Sequence, residues 1–279
     1  MLDNRKRLIN TFPVPIRSQL AITDTCESLY SFIADNYTFS RVEYYLDYED
    51  DTYNVLVVGP TGAGKSHLIN VFFNQNICES DVSHRSVTKE IVFVRGRGKV
   101  YNPEKEIYQE RSIVVADTIG LCDTEWEDTK VINLIRNRVS SNLKHIDAVY
   151  VVFRADRLLK EHVANIQHIL KWLGYQTGLN CLRFLFVGTY ADYISTEKKD
   201  ALRAEATTMF QLKDTSRKIA PTGHSIQSLV YTRFPPEDSL NEMTKEKTQQ
   251  CWRELRVLLN HPGVCDRIPL DQGSSCAIL

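Results

Sequence analysis

The apolar positions along the chain alternate between two periods. Val55-Leu56-Val57-Val58 is a short, unbroken, β-branched run that ends at Gly59. A run without polar alternation marks a strand covered on both faces, as in a parallel sheet. Ile91–Val94, Ile113–Ala116, Ala148–Phe153, Leu182–Val187 and Ser228–Thr232 read the same way. Between them, apolar residues recurring every three to four positions predict helices near 65–74, 127–143, 158–173, 196–212 and 237–260. Such alternation predicts an α/β fold, a doubly wound and mostly parallel sheet with its ligand at the carboxyl ends of the strands. Ile91–Val94 and Ile113–Val115 have no helix between them, only Gly96, Gly98 and Asn102-Pro103. A hairpin is expected there, and with it one antiparallel edge strand.

Flanking segments read differently. Pro13 and Pro15 stop helix formation near the start. Residues 24–39 predict a helix with Asp24 as N-cap and Leu29, Phe32 and Ile33 on its buried side. The acidic stretch Asp47-Tyr48-Glu49-Asp50-Asp51 marks a boundary. The expected organisation is an N-terminal extension with a helix over 1–50, a main domain with its C-terminal helix over 51–260, and a flexible tail over 261–279.

Composition narrows the classes. Hydrophobic residues make up 43% and charged residues 25% of the 279 positions, an ordinary globular balance. The formal net charge of −1 makes nucleic acid a poor candidate partner. No stretch approaches the roughly 20 apolar residues of a spanning helix. Leu2 follows the initiator Met, which excludes N-myristoylation. The seven cysteines form no CxxC pair, so reduced cytosolic thiols are expected rather than a zinc site.

The chemistry lies in four places. Gly59-Pro60-Thr61-Gly62-Ala63-Gly64-Lys65-Ser66 fits G-x-x-x-x-G-K-[ST], follows a predicted strand and opens a predicted helix. Its glycines let backbone N–H groups point at phosphate oxygens, and the helix dipole faces the same anion. Lys65 is expected at the β- and γ-phosphates, Ser66 on Mg²⁺, and His67 beside them. Asp117-Thr118-Ile119-Gly120 ends a strand as D-x-x-G. Asp117 is expected in the Mg²⁺ shell and Gly120 at the γ-phosphate. Thr88, in the loop before the second strand, is expected to close over Mg²⁺ and γ-phosphate, with Ser86 as a local rival. Thr189-Tyr190-Ala191-Asp192 stands where guanine-specific proteins carry [NT]-K-x-D. The Asp192 carboxylate suits the two guanine donors. Tyr190 replaces the usual Lys, and its ring can still stack on a base. A plain helix N-cap is the competing reading of Asp192.

Together, Ser86-Val87-Thr88-Lys89 and Asp117-Thr118-Ile119-Gly120-Leu121-Cys122-Asp123-Thr124 resemble the AIG-type G domain of the immunity-associated (GIMAP) GTPases. Ile119 stands where that family usually has Pro. Ala148–Asp156 with Arg157, Lys160 and Glu161 is similar to a further family box. The resemblance covers about residues 53–232, and septins and chloroplast import GTPases are more distant relatives by fold. It implies binding of GTP and GDP, dimerisation across nucleotide faces, frequent residence at membranes, and slow hydrolysis. Leu121 agrees with slow turnover, because it occupies the place of a water-orienting Gln. Arg157 matches the family's arginine finger; a surface ion pair with Glu161 is the plainer reading. A GTP-dependent scaffold with negligible turnover, or an ATP-using P-loop protein, fits the same phosphate motif. The terminus Cys276-Ala277-Ile278-Leu279 fits C-a-a-X, which predicts geranylgeranylation of Cys276 and a peripheral place on the cytosolic face of a membrane.

Overall fold

The computed structural model describes residues 40–41, 52–73, 77–78, 90–102, 107–121, 128–175, 183–191, 194–210, 215–219, 224–226, 229–232 and 268–270. The predicted helices over 24–39 and 237–260, and the acidic boundary at 47–51, lie outside them.

The central strand is β2, Tyr53–Val58, and all six of its residues are buried. Its two faces meet different partners. Val55 and Val57 pack on one side against Leu68, Ile69 and Phe72 of helix α1, Lys65–Phe73. Leu56 and Val58 point the other way. They join the apolar stripes of helices α2, Asp128–Asn142, and α3, Lys160–Trp172. Those stripes are Val131, Ile135 and Val139 on α2, and Val163, Ile166, Ile169 and Leu170 on α3. The three-to-four spacing of each set is the reason these segments are helical and sheet-bound. Helix α4, Thr196–Phe210, joins the same layer through Ala206 and Phe210.

The remaining strands are β1 (Ser40–Arg41), β3 (Val92–Asn102), β4 (Ile107–Asp117), β5 (His145–Ile146), β6 (Ala148–Arg154), β7 (Phe184–Thr189), β8 (Thr215–Ile219), β9 (His224–Ile226), β10 (Leu229–Tyr231) and β11 (Ile268–Pro269). The main sheet runs in the order β1-β3-β4-β2-β6-β7-β10. From β4 to β10 every pairing is parallel. The expected hairpin is β3–β4, antiparallel over its full length. Outside it, the dipeptide β1 pairs antiparallel with Gly96 and Arg97. A piece of the stretch expected as an N-terminal extension thus belongs to the sheet.

The stretch expected as a flexible tail likewise contributes to the core. β11 pairs antiparallel with β5, and the Leu270 N–H donates to the Lys144 carbonyl at 2.9 Å. Ile268 and Leu270 are both buried in the cluster that holds α2 and α3. The mobility expected of the tail rests on Gly273-Ser274-Ser275, which are small and polar and lie outside the described residues. The two buried apolar residues that dock it are too short a signal to read by periodicity.

Removing the Leu270 side chain should therefore cost core packing. Leu270→Ala is expected to lower the unfolding free energy by about 2 kcal/mol in urea titration. A midpoint indistinguishable from wild type would show that this segment is not packed in solution.

Candidate functional site

The phosphate-loop sequence spans the turn from β2 into α1. Gly59 has φ 153°, and a Cβ built there would lie 1.9 Å from the Val152 carbonyl oxygen of β6. Only glycine fits so close to a neighbouring backbone. Lys65 is buried at the first position of α1. Its Nζ donates to the carbonyls of Gly59 (3.1 Å) and Pro60 (3.0 Å), so the ammonium stays at the loop. Thr189 fixes the far side. Its Oγ1 lies 2.7 Å from the Ala63 carbonyl and 3.1 Å from that of Phe153, tying the loop to β6 and β7. His67 follows within α1 and is half-buried.

Parallel pairing of β2 with β4 brings Val57 opposite Asp117. The Ser66 hydroxyl donates to Asp117 Oδ2 at 2.7 Å. Asp117 is fully buried, and its Oδ1 has no hydrogen-bond partner. Thr61 Oγ1, in the same loop, is also buried without one. Burial pushes the Asp117 carboxyl above the ordinary carboxylate range, while the Lys65 ammonium and hydrogen bonds from Ser66 and Cys78 pull it back. Cys78 reaches this place because Asn70 clamps the segment after α1. Asn70 Oδ1 accepts from the N–H groups of Ile77 (3.0 Å) and Cys78 (2.8 Å), and its amide donates to the Cys78 carbonyl (2.9 Å).

Gly120 meets the loop more closely than its sequence reading implies. A Cβ on it would stand 2.1 Å from Thr61 Oγ1 and 2.5 Å from Thr61 Cα. That contact lets Leu121 bond the loop twice. The Thr61 N–H donates to the Leu121 carbonyl (2.9 Å), and the Leu121 N–H to the Gly59 carbonyl (3.1 Å). The Leu121 side chain is fully buried. Thr118, unassigned in sequence, donates its hydroxyl to the Val57 carbonyl at 2.8 Å and fixes the strand end.

A second group stands where β6 and β7 end. Arg154 binds Asp156 through two hydrogen bonds of 2.9 and 2.7 Å, which hold the Asp156 carboxyl below its usual range. The Arg154 guanidinium lies 4.1 Å from the Tyr190 ring centroid. Arg154 and Asp156 had no assigned role in the sequence reading. An arginine, an acid two residues on and an aromatic in place of a lysine were the available signals. Arg157 is exposed, and among the described residues no ion pair joins it to Glu161.

Lys65, Ser66, Asp117, Gly120 and Thr189 thus converge, together with Gly59–Gly64. Thr88, Asp192 and Cys276 lie outside the described residues. Among the described residues no group of three or more His, Cys, Asp or Glu is placed to hold a metal.

Residues 53–204 match the model of the AIG1 family. The chain belongs to the AIG1 family. No curated protein matches this AIG1-family chain in sequence. Among solved structures, it is similar in fold to a dimerisation-deficient mutant of Toc33 from Arabidopsis thaliana. That match has 16% identity and a TM-score of 0.51, covering 75% of this chain and 84% of that one. It is also similar to a structure of the chloroplast translocon components atToc33 and psToc159, in a study of dimerisation and GTPase activity. There the identity is 18% and the TM-score 0.52, covering 78% and 86%. The matched region has the fold of these translocon GTPases.

The raised Asp117 carboxyl has a testable sign. The folded chain holds that proton at pH values where the unfolded chain has lost it, so this group's contribution to stability falls as pH rises through the window between the two. Asp117→Asn should remove the slope and raise the melting temperature of nucleotide-free protein at neutral pH. It should also weaken any Mg²⁺-dependent stabilisation. A variant that melts lower than wild type at every pH would contradict the assignment.

Proposed function

We propose that the chain is a guanine-nucleotide-binding switch protein. It takes GTP and GDP with Mg²⁺, hydrolyses GTP slowly, and gains activity when a second copy docks. The observation that carries this reading is the convergence of Lys65, Ser66 and Asp117 on one closed phosphate loop. Hard oxygen donors suit a small divalent cation. Ser66 Oγ and the unpartnered Asp117 Oδ1 fit that requirement. Bound there, Mg²⁺ would neutralise phosphate charge. Thr88 is proposed to complete the shell, and Gly120 to adjoin the γ-phosphate. Thr189 ties the base-side strand to the loop, and Asp192 is proposed to accept from the guanine edge.

Slow turnover is supported by Leu121. Its side chain is apolar and buried, and its backbone is bonded to the loop, so it cannot orient a water molecule. Arg157, exposed at the entry to α3, is proposed to act across a dimer. Without that help the chain would be a GTP-dependent scaffold. The Toc33 and Toc159 components, whose dimerisation is tied to GTPase activity, make the comparison apt.

Competition titration should show GTP and GDP binding well ahead of ATP, with triphosphate binding lost in Lys65→Ala. Equal affinity for ATP would refute the guanine assignment. Specific activity should rise with protein concentration and lose that rise in Arg157→Ala, since a finger is worth roughly 10³–10⁵ in rate. Activity flat in concentration and unchanged in the variant favours the scaffold.

We propose further that Cys276 carries a prenyl group that places the protein on the cytosolic face of a membrane. Among the described residues no helix is long and apolar enough to cross one. A single lipid gives marginal anchoring, so dimerisation would strengthen it. Intact mass and membrane partition of wild type against Cys276→Ser, in a prenylation-competent cell, check this; equal partition removes it.

A further inference from the structure

Helix α2 and the residues that end it carry charge of one sign. From Thr129 to Lys144 stand four basic residues, Lys130, Arg136, Arg138 and Lys144, and no acidic one. The whole chain is balanced, with 34 Lys and Arg against 35 Asp and Glu, so this stretch departs from its average. Val131, Ile135 and Val139 turn the apolar stripe of the helix into the core. Lys130, Arg138 and Lys144 are exposed, and Arg136 is half-buried. Two structural roles would explain such charges, and neither fits. Basic residues in a last helical turn offset the dipole, but the last turn of α2 holds none. Ion pairs along a helix need an acid three or four positions away, and Arg136 and Arg138 have none at those positions.

The neighbouring sheet adds to the field. Arg95 and Arg97 of β3 stand opposite Val114 and Ser112 of β4. Val114 belongs to the core layer that holds α2 and α3, so the register puts both arginines on that side of the sheet. Glu110, in register with Lys99, is an exposed acid on the same side. The carboxyl-terminal strand also ends here. β11 runs antiparallel to β5, from Ile268 opposite Ile146 to Leu270, whose N–H bonds the Lys144 carbonyl. The chain therefore leaves Leu270 at the carboxyl end of α2. Cys276 follows Leu270 by six residues, a reach of at most about 20 Å. The 15 residues of α2 span about 22 Å. Cys276 and the basic face can thus meet one flat surface.

We propose that the outer face of α2, with Arg136, Arg138 and Lys144, is a docking surface for the anionic headgroups of a membrane. The proposal rests on the membrane reading of Cys276 given above and supplies what that reading lacks. One lipid gives marginal anchoring, and stable residence takes a second signal such as a basic cluster. From Pro262 onward the tail has one basic residue, Arg267. The cluster comes from the folded helix instead. Each Lys or Arg held at an anionic bilayer strengthens binding about five-fold, and the attraction dies away within a Debye length. Asp147, just after β5, donates its N–H to the Asn54 carbonyl at the start of β2, so this face ends at the pole away from the phosphate loop. Docking there leaves the nucleotide site open.

Vesicle titration tests this on the full-length chain, made in a prenylation-competent cell and also without the modification. The vesicles are phosphatidylcholine alone or mixed with phosphatidylserine. Both forms of the chain should bind the mixed vesicles more tightly, and the difference should vanish in high salt. Arg136→Gln combined with Arg138→Gln should weaken binding to mixed vesicles roughly 25-fold and leave binding to neutral ones unchanged. Gln keeps helix propensity, and an unchanged melting temperature and GDP affinity check the fold. Arg138→Lys keeps the charge and should bind like wild type. Lys198→Gln removes one charge from the exposed face of α4 and should change little. Equal binding of wild type to mixed and neutral vesicles overturns the proposal. So does an equal loss in Lys198→Gln and Arg138→Gln, which makes net charge the cause. Tighter binding to an RNA duplex than to mixed vesicles, lost in the double variant, assigns the face to nucleic acid and overturns it too. An intact mass without a prenyl group would sink the Cys276 reading alone. The docking face would then stand on salt-sensitive binding of the unmodified chain, lost in the double variant.

Discussion

The site depends on a backbone-to-backbone lock between two strand ends. Gly59 and Thr61 of the phosphate loop exchange hydrogen bonds with Leu121 beyond β4. The lock closes only because Gly120 lacks a Cβ and so lets the Thr61 backbone come within contact. Bonds between main-chain atoms do not depend on rotamers, so the loop is shaped before any ligand arrives. That shape has a consequence for charge. It draws a buried cation and a buried carboxylate into one small volume with two polar atoms left unpaired. Such an arrangement is costly in a resting fold and is the kind of expense that a bound anion and cation offset.

Fold class was legible because the strands declare themselves. Runs such as Val55–Val58 and Val149–Phe153 have no polar alternation, and only a two-sided sheet buries them. The phosphate loop was legible because glycine, lysine and hydroxyl spacing reports backbone geometry directly. Other parts were not. The two-residue strands at Ser40–Arg41 and Ile268–Pro269 are too short to carry a period, and their pairing is decided by distant partners. Gly120 was read as a phosphate contact, yet its missing side chain is explained first by Thr61. Arg154 and Asp156 fell inside a family box with no role of their own, because nothing in sequence says that β6 and β7 end side by side.

A polar network at the opposite end of the sheet also escaped the sequence. The Asn54 N–H donates to Asp147 Oδ2 at 2.7 Å, and the Asn54 side-chain amide donates to the His145 carbonyl at 3.0 Å. His145 Nε2 lies 3.2 Å from the same Asp147 oxygen. These contacts fix where β2 and β6 begin, so the register that aligns their far ends is set away from the nucleotide site. Buried polar groups satisfied only by particular partners specify a single register, which apolar packing alone leaves degenerate.

The pairing of β11 with β5 bears on how the chain is made. Synthesis runs from the amino end, and domains begin to fold as they emerge. The last strand of the main sheet, Leu229–Tyr231, leaves the ribosome well before Ile268. For that interval the apolar ground shared by α2 and α3 lacks Ile268 and Leu270, which pack on it among the described residues. A nascent chain stalled in that interval would lack the strand partner of β5 and the two apolar side chains that dock beside it. Unpaired strand edges of this kind are what folding helpers and degradation machinery act on.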